Sequence, residues 1–287
     1  MTSTRVEPAR VLRPDGVAAG ERTCAVEAPV AIEVDGLGYA VMMMTPADLP
    51  AFAVGFMLTE RLADDSADVA DVDVFEGATG WVVRVTLAER CAGRIHDRVR
   101  HRTSDTACGL CGIAGLEQLR RPVAARPLAP SATPAVLFAA LASLRAHQPL
   151  NAETGAVHAA AAYDADGRVL AACEDVGRHN ALDKLVGTLM TGAIEADFIL
   201  VSSRLSFEMA DKALVAGVAM LVGVSAPTTL AIDHAREHGL TLVALARSDA
   251  MLVMCDPHGV FHPHPSAAAP PLPLPVGEGR SAEGAGG

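Results

Sequence analysis

The residues best placed to do chemistry lie in Thr106-Ala107-Cys108-Gly109-Leu110-Cys111-Gly112, where two thiols stand three positions apart and a glycine follows each. Glycine tolerates backbone dihedrals closed to other residues and adds no side chain, so the segment reads as a mobile loop that a partner molecule can approach closely. Three chemistries fit a Cys-x-x-Cys pair. A structural zinc site would take two of its four ligands there, but no second Cys-x-x-Cys pair follows; Cys91, His96 or His101 would have to complete it. A dithiol–disulfide oxidoreductase needs the first thiol at a helix N-terminus in a βαβ context, which Gly109-Leu110 and the basic stretch before it do not supply. A sulfur carrier needs an accessible, low-pKa thiolate that holds a sulfur atom as a persulfide, with a neighbouring thiol to resolve or relay it. The run Arg90, Arg94, Arg98, Arg100, His101 and Arg102 leads into the pair. It is either a solvated helix face or a set of cations that stabilises the thiolate and attracts an anionic partner. Spacing alone leaves these readings open.

A second set of candidates comes from the C-terminal half. Phe198–Ser202, Val218–Val224 and Thr241–Ala246 read as strands, separated by helices over Ser206–Ala216 and Thr228–His238 that stop at Gly217 and Gly239. Such β-α-β-α-β order implies parallel neighbours joined by right-handed crossovers. Ligands of open parallel sheets bind beyond the carboxyl ends of the strands. Those ends carry Ser202-Ser203-Arg204, Ser225-Ala226-Pro227-Thr228 and Arg247-Ser248-Asp249, with Glu174–His179 on the same rim. Hydroxyls, guanidiniums and helix N-termini together suit a phosphate. The plainer reading is that Ser and Thr cap helices and Arg pairs with carboxylates.

The elements that position these groups follow from pattern. Residues 1–20 mix Arg, Pro, Gly and Ala without periodicity and read as a loose leader. Val30–Val34 and Tyr39–Met44 read as a hairpin about Asp35-Gly36. A helix is expected from Thr45-Pro46, with Thr45 as its cap. Asp64–Asp73 reads as a solvated acidic loop, Trp81–Leu87 as a strand, and 120–134 as an interdomain linker. Ala135–Ala146 reads as a helix, Thr154–Ala161 and Val169–Cys173 as strands, Met251–Cys255 as an edge strand. From His262 onward Pro, Ala and Gly predict a disordered tail. The expected division is a leader (1–20), a smaller α+β domain carrying the cysteine loop (21–130), an α/β cofactor-binding domain (131–262) and the tail (263–287).

Composition narrows the class. The 287 residues are 51% hydrophobic and 20% charged but only 3% aromatic, so a sizeable core must be built from Ala, Val and Leu. A net charge of −11 argues against general nucleic-acid binding, which needs a basic surface. No apolar run reaches the roughly 18 residues of a membrane span, and no signal pattern opens the chain. A cytoplasmic location with reduced thiols is expected, and Cys24, Cys91, Cys173 and Cys255 read as small apolar residues.

Cys108–Gly112, Glu174–Lys184, Ser203–Met209 and Ser225–Ala231 closely resemble, in order, the motifs of the formate dehydrogenase accessory sulfurtransferases, the FdhD family; Glu27–Val30 and Thr45–Asp48 extend the likeness, which runs to about Pro257. The resemblance implies a cytidine deaminase-like α/β sandwich with a largely parallel sheet in the C-terminal part, a smaller α+β N-terminal domain, and a homodimer. It implies a sulfurtransferase that takes sulfur from a cysteine desulfurase and delivers it to the molybdenum (or tungsten) bis-pterin guanine dinucleotide cofactor of formate dehydrogenase. That cofactor is carried as cargo, with no permanently bound cofactor or metal. By motif position Cys108 is the persulfide-bearing residue and Cys111 its assistant. The family's guanine-nucleotide contacts map onto Leu245, Ala246, Arg247, Ser248, Asp249 and Ala250, where Leu245 replaces the commoner aromatic. Ser203, Arg204, Arg178 and His179 complete the expected cofactor-binding set. Arg61 and Ala156 stand where the family commonly has glycine. Deamination is not implied, since Ala107 precedes Cys108 and no His-x-Glu occurs. The alternative is a non-enzymatic cofactor-insertion chaperone with zinc at the dithiol.

Overall fold

The structure is a computed structural model that describes residues 2–99 and 129–261, the side chains of 97–99 excepted. Cys108, Cys111, Arg100, His101, Arg102, most of the expected linker and the expected tail lie outside the described residues.

The N-terminal segment departs from the expected loose leader. β1 (Thr4–Arg13) and β2 (Gly16–Ala25) form an antiparallel ribbon in continuous register from Thr4 opposite Ala25 to Arg13 opposite Gly16. Among the described residues it pairs with no other sheet, neither face is fully buried, and no hydrophobic alternation marks it in the sequence. At its base the Arg22 guanidinium donates to the Thr154 carbonyl at 2.6 Å.

β3 (Ala28–Val34) and β4 (Leu37–Met44) form the expected hairpin. Asp35 and Gly36 take φ of 48° and 78°, both left-handed, as a tight hairpin turn requires. α1 (Leu49–Thr59) starts later than expected. Its N-cap is Asp48, and Thr45 is instead turned towards the C-terminal half: its N–H donates to Asp175 and its hydroxyl accepts from the Val176 N–H. The acidic stretch is also more ordered than expected. Asp65 caps a short 3-10 turn, and β5 (Val69–Gly77) follows, pairing with β6 (Gly80–Leu87). Val72 and Val74 pack against the core while Asp71 and Asp73 point out, so the acids mark only one face of a strand. The four-stranded sheet has the order β4-β3-β6-β5, with β3 and β6 parallel. α2 (Arg94–Val99) closes this half among the described residues.

α3 (Pro134–Leu144) and α4 (Pro149–Thr154) precede β7 (His158–Tyr163), β8 (Val169–Asp175), α5 (Arg178–Thr191), β9 (Phe198–Val201), α6 (Phe207–Val215), β10 (Met220–Gly223), α7 (Thr229–His238), β11 (Thr241–Ala244) and β12 (Leu252–Cys255). The six-stranded sheet runs β12-β11-β10-β9-β7-β8. β9, β10 and β11 are parallel as expected, β7 pairs antiparallel with both β9 and β8, and β12 pairs antiparallel with β11, so the sheet is mixed around a parallel centre. All residues of β9, β10 and β11 are buried, which is why they read as unbroken apolar runs. Alternation then splits them between two cores. Ile199 and Val201 join α5 and α6, while Phe198 and Leu200 join Leu137, Ala140 and Leu144 of α3.

α1 and α5 lie back to back between the two sheets. A Cβ placed on Gly55 would stand 1.8 Å from the Asp183 carbonyl oxygen, and one on Gly187 would stand 1.8 Å from that of Ala51. The two helices therefore touch backbone to backbone. One hydrophobic core runs from Val30, Ile32 and Val83 of the first sheet, through Phe52, Met57, Leu182 and Leu185, to Ile199 and Leu221 of the second. No helix among the described residues is long and apolar enough to cross a membrane.

Candidate functional site

The segment Glu174–Lys184, dense in charge, resolves into residues with structural partners and residues without. The Glu174 carboxylate accepts from the Leu150 and Asn151 N–H groups, both at 2.8 Å, and so serves the first turn of α4. Asp175 and Lys184 form a fully buried ion pair at 2.6 Å. Asp175 also accepts from Gly177 N–H (2.8 Å), Asn180 Nδ2 (3.0 Å) and Thr45 N–H (3.1 Å), while Lys184 donates to the Thr45 carbonyl at 3.0 Å. Asp183 accepts two bonds from Lys212 Nζ, at 2.6 and 2.8 Å, and one from the Thr59 hydroxyl at 2.7 Å. Arg178 and His179 remain. Arg178 Nε and both ring nitrogens of His179 are closed to solvent and have no hydrogen-bond partner among the described residues. Buried polar groups are nearly always paired, so three unmet atoms on adjacent residues need an explanation.

Their surroundings are cationic. Burial, then the nearby charge of Arg204, pulls the Arg178 pKa below its ordinary range, with Glu208 opposing. Burial first, then the charges of Lys212, Arg178 and Arg204 and the neighbouring His158, push His179 down to about 3. The ring is therefore neutral in the physiological range. His158 is also lowered, by burial and then by Arg178; its Nδ1 lies 3.4 Å from the Ser202 hydroxyl. Arg204 is exposed, and Ser203 is buried with its hydroxyl donating to the Arg204 carbonyl at 3.1 Å.

Helix capping follows the same division. Thr133 and Thr228 cap α3 and α7 with their own hydroxyls, so Thr228 has the plain structural role. α5 begins after Gly177 and has no side-chain cap, and α6 begins after Ser206, whose hydroxyl caps nothing. Ser206 is only 8% exposed, and its Oγ has no partner among the described residues. Two helices thus start on this rim with their first N–H groups unclaimed by side chains, beside two guanidiniums. That arrangement attracts an anion.

The expected site residues fall into two places. Arg178, His179 and Arg204 come together at the α5 and α6 starts, joined by Lys212 and His158, which were not in the expected set. Lys212 is a lone lysine at core spacing on α6, a signal that was available; His158 stands alone in a small-residue strand and gave none. Leu245–Ala250 belongs instead with α3. Ala246, Arg247 and Ser248 line a cavity of about 400 Å³ with Phe138, Leu141, Ala142 and Val224. Leu245 holds φ of 50°, and its N–H donates to the Ser225 carbonyl, tying the loop to its neighbour after β10. The Arg247 guanidinium is bonded to the Val224 and Ala246 carbonyls, so it is already engaged within its own loop. Asp249 is exposed and Ala250 half-buried. The apolar α3 residues carried no sequence signal beyond helical periodicity.

The basic run is partly neutralised. Arg90 pairs with Asp68 and Arg94 with Asp64, so neither is a free cation. Asp64, Asp68 and Cys91 are the one grouping among the described residues close enough to share a metal ion, and both carboxylates in it are held by those arginines.

The fold and rim define a mixed α/β protein with a cationic rim at the starts of α5 and α6 and a separate apolar cavity between α3 and the loops after β10 and β11. Residues 25–261 match the FdhD/NarQ family. The sulfur carrier protein FdhD of Bordetella petrii is 43% identical over 258 residues, covering 87% of this chain and 92% of that relative. The sulfur carrier protein FdhD of Agrobacterium fabrum is 43% identical over 244 residues, covering 83% and 89%. A crystal structure of a protein assigned as a formate dehydrogenase accessory protein, from Desulfotalea psychrophila, matches with a TM-score of 0.71 at 23% identity. It covers 91% of this chain and 100% of its own, and supports the fold. The chain belongs to the FdhD/NarQ family.

Proposed function

We propose that this chain is a cytoplasmic sulfur carrier that serves formate dehydrogenase. Its near relatives are named sulfur carriers, at 43% identity along most of their length. In the proposed cycle the Cys108 thiolate attacks the outer sulfur of a persulfide held by a cysteine desulfurase. A new S–S bond forms on Cys108, the donor's S–S bond breaks, and the donor cysteine leaves as a thiolate. No external oxidant is needed. The Cys111 thiolate then attacks the inner sulfur of the Cys108 persulfide: a Cys108–Cys111 disulfide forms, the persulfide S–S bond breaks, and the outer sulfur leaves as sulfide for the metal of the pterin guanine dinucleotide cofactor, which is the substrate; a thiol reductant restores the dithiol, and the cofactor enters the formate dehydrogenase apoenzyme. The protein works as a homodimer.

The observation that carries the reading is the meeting of two guanidiniums with the uncapped starts of α5 and α6. Arg178 and Arg204 stand beside unmet hydrogen-bonding groups there, as a phosphate-bearing cargo requires. The apolar cavity under α3 has the size and lining for a planar base, with the Ala246 to Ser248 backbone at its edge.

The test is Cys108→Ala in the full chain. The variant keeps its fold by circular dichroism, does not gain the mass of a sulfur atom after incubation with a desulfurase and cysteine, and does not activate formate dehydrogenase. Normal activation by the variant refutes the assignment.

A further inference from the structure

The ribbon of β1 and β2 is anchored at its base, where Arg22 bonds Thr154 of α4, and is wet along most of its length. A lone two-stranded hairpin is at best marginally stable in water. Nearly all of this one precedes the family-matching residues 25–261, so the shared fold does not supply its cover. Val6, Leu12 and Val17 are 57%, 78% and 63% exposed. Leu12 stands directly opposite Val17, and Val6 lies an even number of positions from Leu12, so the three share one face. Arg10 lies on that face and Arg13 beside it at the tip, both exposed.

The four-stranded sheet offers the complement. Its outward face carries Val41 and Met43 on β4, 70% and 49% exposed, beside their partners Ala31 and Pro29 on β3, with Val82 of β6 opposite Ala31. β4 is an edge strand without a single charged residue. Natural sheets blunt open edges with charge, proline or a covering element. β5, at the other edge, does so with Asp71, Asp73 and Glu76. Across the outward face Glu33, Asp71 and Asp73 outnumber Arg84, which bridges to Glu33 at 2.9 Å.

We infer that in the homodimer the ribbon of each copy lies on the outward face of the other copy's four-stranded sheet. Leu12 and Val17 cover Val41 and Met43, and Arg10 and Arg13 meet the carboxylates of Glu33, Asp71 and Asp73. Charge favours a second copy as the occupant. A chain of net charge −11 repels its own kind over most of its surface, whereas the ribbon sets Arg5, Arg10, Arg13 and Arg22 against Glu7, Asp15 and Glu21 and is net positive. Strands of this length carry the tip roughly 30 Å from its base, far enough to reach a neighbour. A two-fold axis makes the contact twice, so the assembly closes at two copies. This pairing rests on the homodimer reading above and names the surfaces that form it.

Sedimentation velocity on the full chain tests it. Leu12→Glu with Val17→Glu removes the tip, and Val41→Glu with Met43→Glu removes the face. All four positions are exposed, so both variants keep the far-UV circular dichroism of wild type. Wild type sediments as a dimer, and each double variant weakens dimerisation at least about tenfold. An equimolar mixture of the two associates more tightly than either alone, because one intact tip then meets one intact face. A dimer as tight as wild type in either variant, or a mixture no tighter than its components, overturns the pairing and leaves the homodimer reading standing. A monomeric wild type overturns both, and tip-dependent binding of that monomer to the cysteine desulfurase or to anionic vesicles then identifies the occupant instead.

Discussion

Replacing Lys184 by Met tests whether the buried pair beneath the rim organises it. Both side chains of the Lys184–Asp175 pair are 0% exposed, and their charged atoms are 2.6 Å apart. The change leaves the Asp175 carboxylate with three N–H donors but no counter-charge, and leaves the Thr45 carbonyl without its Lys184 bond. Removing one partner of a buried ion pair costs about 3–5 kcal/mol, against a typical domain stability of about 5–15 kcal/mol. Urea unfolding followed by far-UV circular dichroism should therefore lose about a fifth or more of its midpoint. The double change Asp175→Asn with Lys184→Met removes both charges and keeps an amide oxygen for the Gly177 N–H. It should recover most of the loss, because a neutral pair carries no uncompensated ion. A loss below about 1 kcal/mol in the single variant, or a double variant no more stable than the single, refutes the reasoning.

Gly187→Ala drives a methyl into the Ala51 carbonyl, a backbone atom that cannot rotate away, and should cost about 1–3 kcal/mol or more by overpacking, read as a lowered urea midpoint; a wild-type midpoint contradicts the backbone contact. The Asp68 carboxyl is held at about 2 against its usual 3.8, chiefly by the Arg90 hydrogen bond, against burial and with help from the Asp64 and Asp65 N–H groups. A depressed carboxylate stabilises the fold above its unfolded pKa and loses that contribution as pH falls through its folded one, so this one disappears between about pH 4 and pH 2. Arg90→Ala should therefore begin acid unfolding at higher pH in a circular dichroism titration, and superimposable curves would count against the pairing.

What could be read in advance divides along physical lines. β9, β10 and β11 are buried on both faces, and α6 and α7 end at glycines, so continuous apolar runs and punctuation sufficed. β1 and β2 are held by cross-strand hydrogen bonds and one anchoring arginine, neither of which leaves a periodic mark. β5 was masked by its outward Asp71 and Asp73. Thr45 and Pro46 have the chemistry of a helix start, but Thr45 makes its bonds to Asp175 and Val176, 130 and 131 positions away, a tertiary demand that outweighs local capping preference. At the rim, Arg178 and His179 were visible as charge beside a glycine; that Glu174, Asp175, Asp183 and Lys184 are structural emerged only when their partners across the fold were known. His158 and the α3 residues were assembled from distant segments, which spacing cannot foresee.

The bare-backbone meeting of α1 and α5 also bears on how this sequence can change with time. With peptide groups facing peptide groups at Gly55 and Gly187, neither position has room to drift, and a substitution at one cannot be offset by shrinking the other. The two helices are therefore tied as a unit of inheritance: engineered chimaeras that draw the N-terminal and C-terminal halves from different relatives should succeed only where both glycines are retained.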